Sequence, residues 1–230
     1  MSALLDAKAP VSPLKPRLET LRISEIFYSL QGETSRAGLP TTFVRLTGCP
    51  LRCGYCDTAY AFHGGTTMAI GDILDEVIRL DARYVTVTGG EPLAQKHCLT
   101  LLTALCDAGR SVSLETSGAI DISAVDRRVS RIVDIKTPGS GEVEKNLWSN
   151  VGHLNAADEL KFVLCDEADY RWAVETMRGR KLHDICPVLF SPVHGTLPAR
   201  LLADWILRDH LPVRFQLQLH KQVWGDERGR

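Results

Sequence analysis

The chain has 230 residues, of which 44% are hydrophobic and 24% are charged, and its formal net charge is −1. This balance is ordinary for a globular domain and does not favour a general nucleic-acid-binding protein. The apolar stretches are far shorter than the about 20 residues that cross a bilayer. We therefore expect no nucleic-acid partner, no membrane partner and a cytoplasmic location.

Residues 1–20 contain Pro10, Pro13 and Pro16 among scattered charges, without the apolar run of a secretion signal. This composition predicts a flexible N-terminal extension. A single domain is expected over residues 21–230, because no later boundary is visible.

After residue 40, short β-rich runs alternate with runs of helical spacing. Strands are predicted at residues 42–46, 84–87, 111–115, 131–135, 159–164, 187–190 and 213–219. Helices are predicted at residues 70–80, 99–108, 167–177 and 198–208. This α/β alternation indicates a parallel sheet with right-handed crossovers. Six to seven βα units are too few for a closed eight-stranded barrel, so we predict a partial, open parallel β/α barrel.

Polar or glycine-rich segments follow the predicted strands. They are the cysteine-containing loop after residue 46, Thr88–Glu91, Glu115–Gly118, Lys136–Gly141, Ser191–Gly195 and His220. In parallel barrels and sheets the carboxyl ends of the strands carry the active site. The sequence therefore predicts one site at one rim.

Three cysteines within this first loop have the spacing C-x3-C-x2-C: Cys49, Cys53 and Cys56. A [4Fe-4S] cluster normally takes four cysteine ligands. Three ligands would leave one iron open to a small molecule, which indicates a site for chemistry.

Two other interpretations of the cysteines stay open. His63 is near enough in sequence to be the fourth ligand of a zinc ion. A disulfide framework is less favoured, because seven cysteines are an odd count and a chain of this length needs no staples. The remaining cysteines lie in apolar surroundings and are predicted to belong to the core: Cys98, Cys106, Cys165 and Cys186.

The cysteine motif, followed by Gly89-Gly90-Glu91-Pro92, resembles the radical S-adenosylmethionine superfamily. The resemblance implies a radical SAM catalytic domain over residues 21–230. It also implies that the open iron binds S-adenosylmethionine (SAM), whose one-electron cleavage frees a 5′-deoxyadenosyl radical. Gly90 would let the backbone approach SAM, and Glu91 would orient its ammonium group. An ordinary strand-to-helix turn is the plainer interpretation of the Gly-Gly-Glu-Pro segment.

A narrower resemblance, covering nearly all of residues 22–228, is to the 7-carboxy-7-deazaguanine synthase family of queuosine biosynthesis. It is carried by residues 26–33 (IFYSLQGE), 43–49 (FVRLTGC) and 218–224 (QLHKQVW). It implies a lyase that converts 6-carboxy-5,6,7,8-tetrahydropterin to 7-carboxy-7-deazaguanine with loss of ammonia. Hydrogen abstraction at C6 would precede ring contraction. The family also implies Mg²⁺, a homodimer and an electron donor such as flavodoxin or ferredoxin.

The resemblance assigns residues to both ligands. The substrate residues are Leu30, Gln31, Gly32, Glu33, Arg45, Thr88 and His220, with Arg45 on the substrate carboxylate. The SAM residues are Asp57, Gly90, Glu91, Glu115, Ser117, Asp134, Lys136 and Ser191, and Thr58 would ligate Mg²⁺. As alternatives, Arg45 would pair with a local carboxylate, Thr58 would cap a helix and His220 would simply pack at the C-terminus.

Two departures from some family members concern the cofactor contacts. The first two cysteines here are separated by three residues, where some members have a long insertion. The segment after residue 135 is Lys-Thr-Pro rather than Ser-Pro-Lys. The competing functions are a glycyl-radical enzyme activase and, in a different class, a non-enzymatic iron–sulfur or zinc module.

Overall fold

A computed structural model describes residues 18–229 of the chain. The strands are β1 (Thr20–Leu30), β2 (Pro40–Leu46), β3 (Thr66–Ala69), β4 (Tyr84–Gly89), β5 (Ser111–Thr116), β6 (Ser130–Ile135), β7 (Glu159–Leu164), β8 (Val188–Pro192) and β9 (Arg214–Phe215). The helices are α1 (Ile70–Leu80), α2 (Cys98–Asp107), α3 (Glu167–Gly179), α4 (Ala199–Arg208) and α5 (Leu219–Trp224). Most of the predicted extension, residues 1–17, lies outside the described residues, and Thr20 already begins β1.

The strands form one sheet in the order β3-β1-β2-β4-β5-β6-β7-β8-β9. From β2 onward, every neighbouring pair in this order is parallel, whereas β1 is antiparallel to both β2 and β3. Within residues 18–229 the two edge strands do not pair with each other, so the sheet stays open. The predicted partial parallel β/α barrel is confirmed.

Three sequence predictions about elements need correction. Strands β1 and β3 were not predicted, and the predicted strand at residues 213–219 is wrong, because only Arg214–Phe215 pairs with β8 and α5 begins at Leu219. The alternation is also imperfect. No α-helix lies between β5 and β6, and only short 3-10 turns lie between β6 and β7.

A β-bulge in β1 directs its side chains to two different faces. Ile23 pairs with Leu46 and Glu25 pairs with Arg45, so Ser24 is an extra residue. Residues two apart normally share a face, and the bulge breaks this rule. Ile23 therefore lies in the helix-covered core, while Glu25 turns towards the barrel interior beside Arg45.

The core lies between the sheet and its helices. It is built from the apolar faces of the helices, such as Ile73 and Val77 of α1, against buried strand residues such as Val85 and Val87. Since this layer is almost entirely apolar, the charged residues of the strands are left for the opposite face of the sheet. No helix in the described part of the chain is both long and apolar enough to cross a membrane.

The four cysteines predicted in the core behave in two ways. Cys98 and Cys186 are buried as predicted, whereas Cys106 and Cys165 are only partly buried. Cys106 still packs against the core from its edge. Cys165 lies just after β7, so it is not a core residue.

Candidate active site

A cleft of about 680 Å³ opens at the carboxyl ends of the parallel strands. Each of five neighbouring strands, β4 to β8, contributes a polar side chain to it: Thr88, Glu115, Asp134, Lys161 and Ser191. Eighteen of the nineteen predicted site residues line this cleft. The predicted site residues in the lining are Leu30, Gln31, Gly32, Glu33, Arg45, Cys49, Cys53, Cys56, Asp57, Thr58, Thr88, Gly90, Glu115, Ser117, Asp134, Lys136, Ser191 and His220. Glu91 is the predicted site residue that does not line the cleft.

The three motif cysteines are free thiols that lie half-buried in one wall of the cleft. Leu51 N–H donates to Cys49 Sγ at 3.4 Å, and Gly54 N–H donates to Ser140 O at 3.0 Å, which ties the loop to the segment after β6. Burial raises the pKa of each of the three thiols. A positively charged metal centre is therefore what would hold them as thiolates.

The arrangement fits a cluster better than a single zinc ion. His63, the fourth zinc ligand of the alternative interpretation, is exposed and lies outside the cleft lining. Among residues 18–229, no group of three or more His, Cys, Asp or Glu side chains is gathered closely enough for one metal ion. A [4Fe-4S] cluster binds each thiolate through a different iron, so it needs thiols spread around a cubane.

The Gly-Gly-Glu-Pro segment fastens β4 to the cysteine loop. Glu91 N–H donates to Gly48 O at 2.8 Å, and a Cβ on Gly90 would lie 2.3 Å from the same oxygen. Gly90 is thus required for the backbone of this segment to approach the backbone of the cysteine loop. The alternative interpretation of this segment as an ordinary strand-to-helix turn is partly correct, because a short 3-10 turn, Pro92–Ala94, follows directly.

The Glu91 side chain is fully buried and serves the fold. Its carboxylate accepts hydrogen bonds from Leu93 N–H (2.9 Å), Thr116 Oγ1–H (2.9 Å) and Ser117 N–H (2.6 Å). These donors satisfy it without a ligand. That Glu91 orients the SAM ammonium group stays a prediction, while its bond from the Ser117 N–H positions a residue that does line the cleft.

The segment after β1 supplies amide and carboxylate groups to the cleft. Gln31 Nε2–H donates to Thr86 Oγ1 at 3.2 Å and to Glu115 Oε1 at 3.1 Å. Leu219 N–H donates to Gly32 O at 2.9 Å, and a Cβ on Gly32 would lie 2.3 Å from His220 Nδ1. His220 is therefore seated directly on Gly32, and burial lowers the pKa of this imidazole.

A chain of alternating charges runs across the floor of the cleft. Lys161 Nζ lies 2.7 Å from Glu33 Oε2 and 3.3 Å from Asp134 Oδ1, and Lys136 Nζ lies 2.7 Å from Asp134 Oδ2. Burial opposes the charging of Asp134, but the two lysines outweigh burial and lower its pKa. Burial also opposes the charging of Lys161, but Asp134, Glu33 and Glu115 hold its pKa well above the usual value.

Glu115 is a carboxyl group of the cleft floor whose charged form is disfavoured. Burial raises its pKa, with Lys161 opposing and Glu33 reinforcing the rise. Thr88 Oγ1–H donates to its Oε2 at 3.1 Å. The site thus contains one carboxyl group whose proton is held more tightly than that of a normal glutamate.

The alternatives for Arg45 and Thr58 are resolved in part. Arg45 Nε–H donates to Glu25 Oε1 at 2.7 Å, the local pairing foreseen as an alternative, yet Arg45 also lines the cleft. Thr58 is the N-cap residue of the 3-10 turn Ala59–Phe62, but its side chain makes no capping hydrogen bond, and its hydroxyl donates to Asp57 Oδ1 at 2.8 Å. That contact uses the hydroxyl proton and leaves the oxygen lone pairs for other partners.

Sequence reasoning missed several residues of this site, of which Lys161 and Gln218 make hydrogen bonds to predicted ones. Lys161 is buried in the middle of β7, and the signal was a lysine between apolar residues of a strand with no exposed face. Gln218 Nε2–H donates to Glu33 Oε1 and to Asp57 Oδ2, both at 3.1 Å, and so bridges the two predicted ligand regions. Gln218 begins the segment 218–224 that carries the family resemblance, but no role was assigned to it, because that role depends on contacts more than 160 positions away.

Comparisons with known proteins agree with this geometry. The family model of the Radical SAM superfamily matches residues 43–137. A 7-carboxy-7-deazaguanine synthase of Chlorobaculum tepidum is 52% identical over 91% of this chain and 97% of the relative. One of Koribacter versatilis is 41% identical over 90% of this chain and 98% of the relative.

A solved structure is similar in fold. The crystal structure of QueE from Escherichia coli aligns with a TM-score of 0.73 and 24% identity, over 87% of this chain and 95% of that one. The sequence relatives decide the family, and membership excludes the activase and the non-enzymatic alternatives. The chain belongs to the 7-carboxy-7-deazaguanine synthase family and is a radical SAM enzyme for a small molecule, with a [4Fe-4S] cluster and SAM as cofactors.

Proposed function

We propose that this enzyme converts 6-carboxy-5,6,7,8-tetrahydropterin to 7-carboxy-7-deazaguanine, with hydrogen abstraction at C6, ring contraction and loss of ammonia, in queuosine and 7-deazapurine biosynthesis. The observation that carries the proposal is one cleft with three free cysteines in one wall and Gln31, Glu33 and Arg45 in another. The names of the relatives support the product.

The cysteine loop and the strand ends are the proposed cofactor side. Cys49, Cys53 and Cys56 would hold the cluster, which together with SAM supplies the one-electron cleavage and the hydrogen-abstracting radical. Ser117, Asp134, Lys136 and Ser191 surround the space beside this loop. Asp134, kept ionised by two lysines, is suited to accept hydrogen bonds from a polar cofactor.

The segment after β1 is the proposed substrate side. The pterin amide edge offers donors and acceptors that match the Gln31 amide and the Glu33 carboxylate. Lys161 and Gln218 hold Glu33 from behind, so its orientation is set before substrate binds. The lowered pKa of His220 keeps this imidazole neutral at neutral pH, so that it offers a hydrogen bond rather than a positive charge.

Arg45 is the proposed partner of the substrate carboxylate. Its bond to Glu25 uses one of five N–H donors, and the four terminal donors retain the fork geometry that suits a carboxylate. Thr58 is the proposed Mg²⁺ ligand, since its oxygen lies beside the cysteine loop and Mg²⁺ completes its shell with water and substrate oxygens.

Further inferences come from the family resemblance alone. We infer a homodimer, an electron donor such as flavodoxin or ferredoxin, and one catalytic domain over residues 21–230. A cytoplasmic location suits the free cysteines, because a reducing compartment keeps thiols free.

The decisive experiment is an anaerobic reconstitution with iron and sulfide. The reduced enzyme is incubated with SAM, Mg²⁺ and 6-carboxytetrahydropterin, and mass spectrometry follows 7-carboxy-7-deazaguanine and 5′-deoxyadenosine. Product formation, absent in a Cys53→Ala control, supports the proposal. A loaded cluster that yields 5′-deoxyadenosine without any deazaguanine would reject the substrate while leaving the superfamily chemistry intact.

A further inference from the structure

The predicted carboxylate-binding arginine is held by two residues outside the predicted site. Glu25 Oε1 accepts one hydrogen bond from Arg45 Nε–H and another from Tyr60 Oη–H, each at 2.7 Å. The side chains of Arg45 and Glu25 are only 16% and 21% exposed. One carboxylate oxygen thus accepts hydrogen bonds from both a guanidinium and a phenol, and the pair is largely shielded from solvent.

Each contact is fixed by the surrounding fold. The bulge at Ser24 places Glu25 opposite Arg45 on the interior face of the sheet. The Arg45 guanidinium lies 5.8 Å above the Phe27 ring, which stacks on Phe43 at 4.9 Å. The guanidinium is therefore held along its edge by Glu25 and on one face by an aromatic pair.

Tyr60 connects this arrangement to the cysteine loop. It lies four residues after Cys56, on the 3-10 turn Ala59–Phe62, and lines the cleft. Burial, partly opposed by Arg45 and reinforced by the bond to Glu25, raises its pKa to about 12. The phenol therefore stays protonated and remains a donor to Glu25 throughout the range in which the enzyme would be assayed.

We propose that Glu25 and Tyr60 are positioning residues that fix the Arg45 guanidinium at a set place relative to the cysteine loop and thereby determine selectivity for a carboxylated substrate. This assignment rests on the proposed function. Glu25 contributes geometry more than charge, because its negative charge by itself weakens the attraction between Arg45 and another carboxylate. A neutral acceptor of the same shape should then preserve selectivity.

The test compares two ligands that differ by one carboxylate. The full-length, cluster-loaded enzyme is saturated with SAM without reductant, so that no turnover occurs. Calorimetry then measures the Kd of 7-carboxy-7-deazaguanine and of 7-deazaguanine. The wild type should prefer the carboxylated ligand.

Glu25→Ala should raise the Kd of the carboxylated ligand about tenfold and the Kd of 7-deazaguanine less than about twofold, because only the carboxylated ligand uses Arg45. Glu25→Gln should stay within about threefold of the wild type, since its oxygen still accepts both bonds. Tyr60→Phe should fall between the two. The matched control is Glu76→Ala, which removes the carboxylate of an exposed Glu–Arg pair on α1.

Equal weakening of both ligands by Glu25→Ala, or no effect on either, would overturn the positioning role, as would a Glu25→Gln variant that behaves like Glu25→Ala. If Glu25→Ala does not load its cluster, Glu25→Asp takes its place, because the shortened carboxylate cannot reach both donors. A wild type that binds both ligands equally and makes no deazaguanine would instead reject the proposed function. If the wild type forms product but no variant alters its preference for the carboxylated ligand, only the positioning role would be rejected.

Discussion

Two residues of the site are constrained by space and by hydrogen-bonding capacity rather than by reactivity. Gly32 leaves room for His220, and Glu91 satisfies donors from two neighbouring segments. Both are assigned to ligands by the family resemblance. Their surroundings indicate that substitution would act first on the structure around the ligands.

Gly32→Ala should displace His220, because the new methyl group would lie 2.3 Å from Nδ1. Loss of one polar contact to the ligand predicts a Kd for 7-carboxy-7-deazaguanine that is about tenfold higher. Gly152→Ala is the control, since a Cβ there meets nothing within 4 Å. Equal ligand affinity in both variants would show that His220 relaxes without consequence.

Glu91→Gln should destabilise the fold by about 1–3 kcal/mol, because an amide has one acceptor oxygen for two backbone N–H groups that the carboxylate oxygens now accept. Urea unfolding of the cluster-free protein measures this loss, with the exposed Glu144→Gln as control. If Glu91 instead contacted SAM directly, the variant would keep its stability and lose only SAM affinity. The two outcomes therefore separate a fold role from a ligand role.

Individual residues also show how far sequence reasoning reached. Cysteine spacing, the polar strand ends and the family resemblance together predicted about half of the residues that line the cleft, because parallel strands bring their carboxyl ends to one rim. Glu25 escaped notice because the pairing of β1 with β2 brings it to Arg45, and Lys161 because the curvature of the sheet brings Glu33, beyond β1, to β7. Contacts of this kind are set by register, which no local pattern encodes.

Among the strands, too, some were predicted from local sequence and others were not. The central parallel strands were predicted because each is a short run rich in β-forming residues and is followed by a polar or glycine-rich segment. Strand β1 was not, because the bulge at Ser24 breaks its alternation. The predicted last strand fails for a different reason. Leu219 N–H bonds to Gly32 O instead of to a neighbouring strand, so the chain turns into α5.

The segment after α5 forms part of the wall of the cleft. Residues 225–229 line it, and the Arg228 guanidinium lies 4.2 Å from the centre of the Tyr60 ring. Lys221 Nζ donates to Asp226 Oδ1 at 2.6 Å, which holds the turn between α5 and this segment. The segment should therefore slow the escape of a bound ligand.

Arg228→Ala should raise the dissociation rate of 7-carboxy-7-deazaguanine about two- to fivefold, because a cation–π contact at an exposed site contributes about 0.5–1 kcal/mol. Stopped-flow displacement measures the rate, and thermal unfolding should be unchanged. Arg200→Ala, at a side chain that is 93% exposed on α4, is the matched control. An unchanged dissociation rate would mean that the C-terminal segment does not restrain the ligand.

At the scale of the molecule, the open barrel combines an apolar layer outside the sheet with a charged interior. Two lysines neutralise part of the acidic floor, but Glu115 remains the carboxyl group that burial penalises. A fold that retains such a group loses stability wherever that group must ionise. The pH dependence of unfolding should therefore reveal the charge balance of the cleft.

The direction in which stability changes with pH depends on how folding shifts the pKa of each group. The folded pKa of Glu115 is raised above its ordinary value of 4.5, so the folded protein binds more protons than the unfolded chain as the pH rises beyond that value, and its stability falls. Asp134 acts oppositely. Its lowered pKa makes a contribution that is complete above its ordinary value of 3.8 and is lost only on acidification below it.

Glu115→Gln should consequently become more stable relative to the wild type as the pH rises from about 5 to 8, by at most about 1.4 kcal/mol per pH unit. Urea unfolding of both proteins at each pH measures the difference, in which the contributions of the other titrating groups largely cancel. Glu175→Gln, exposed on α3, should show a constant difference from the wild type. A difference that stays constant for Glu115→Gln as well would mean that Lys161 compensates Glu115 fully. The floor would then be electrically balanced before any ligand enters, and ligand binding would have to proceed without a proton taken from this carboxyl group.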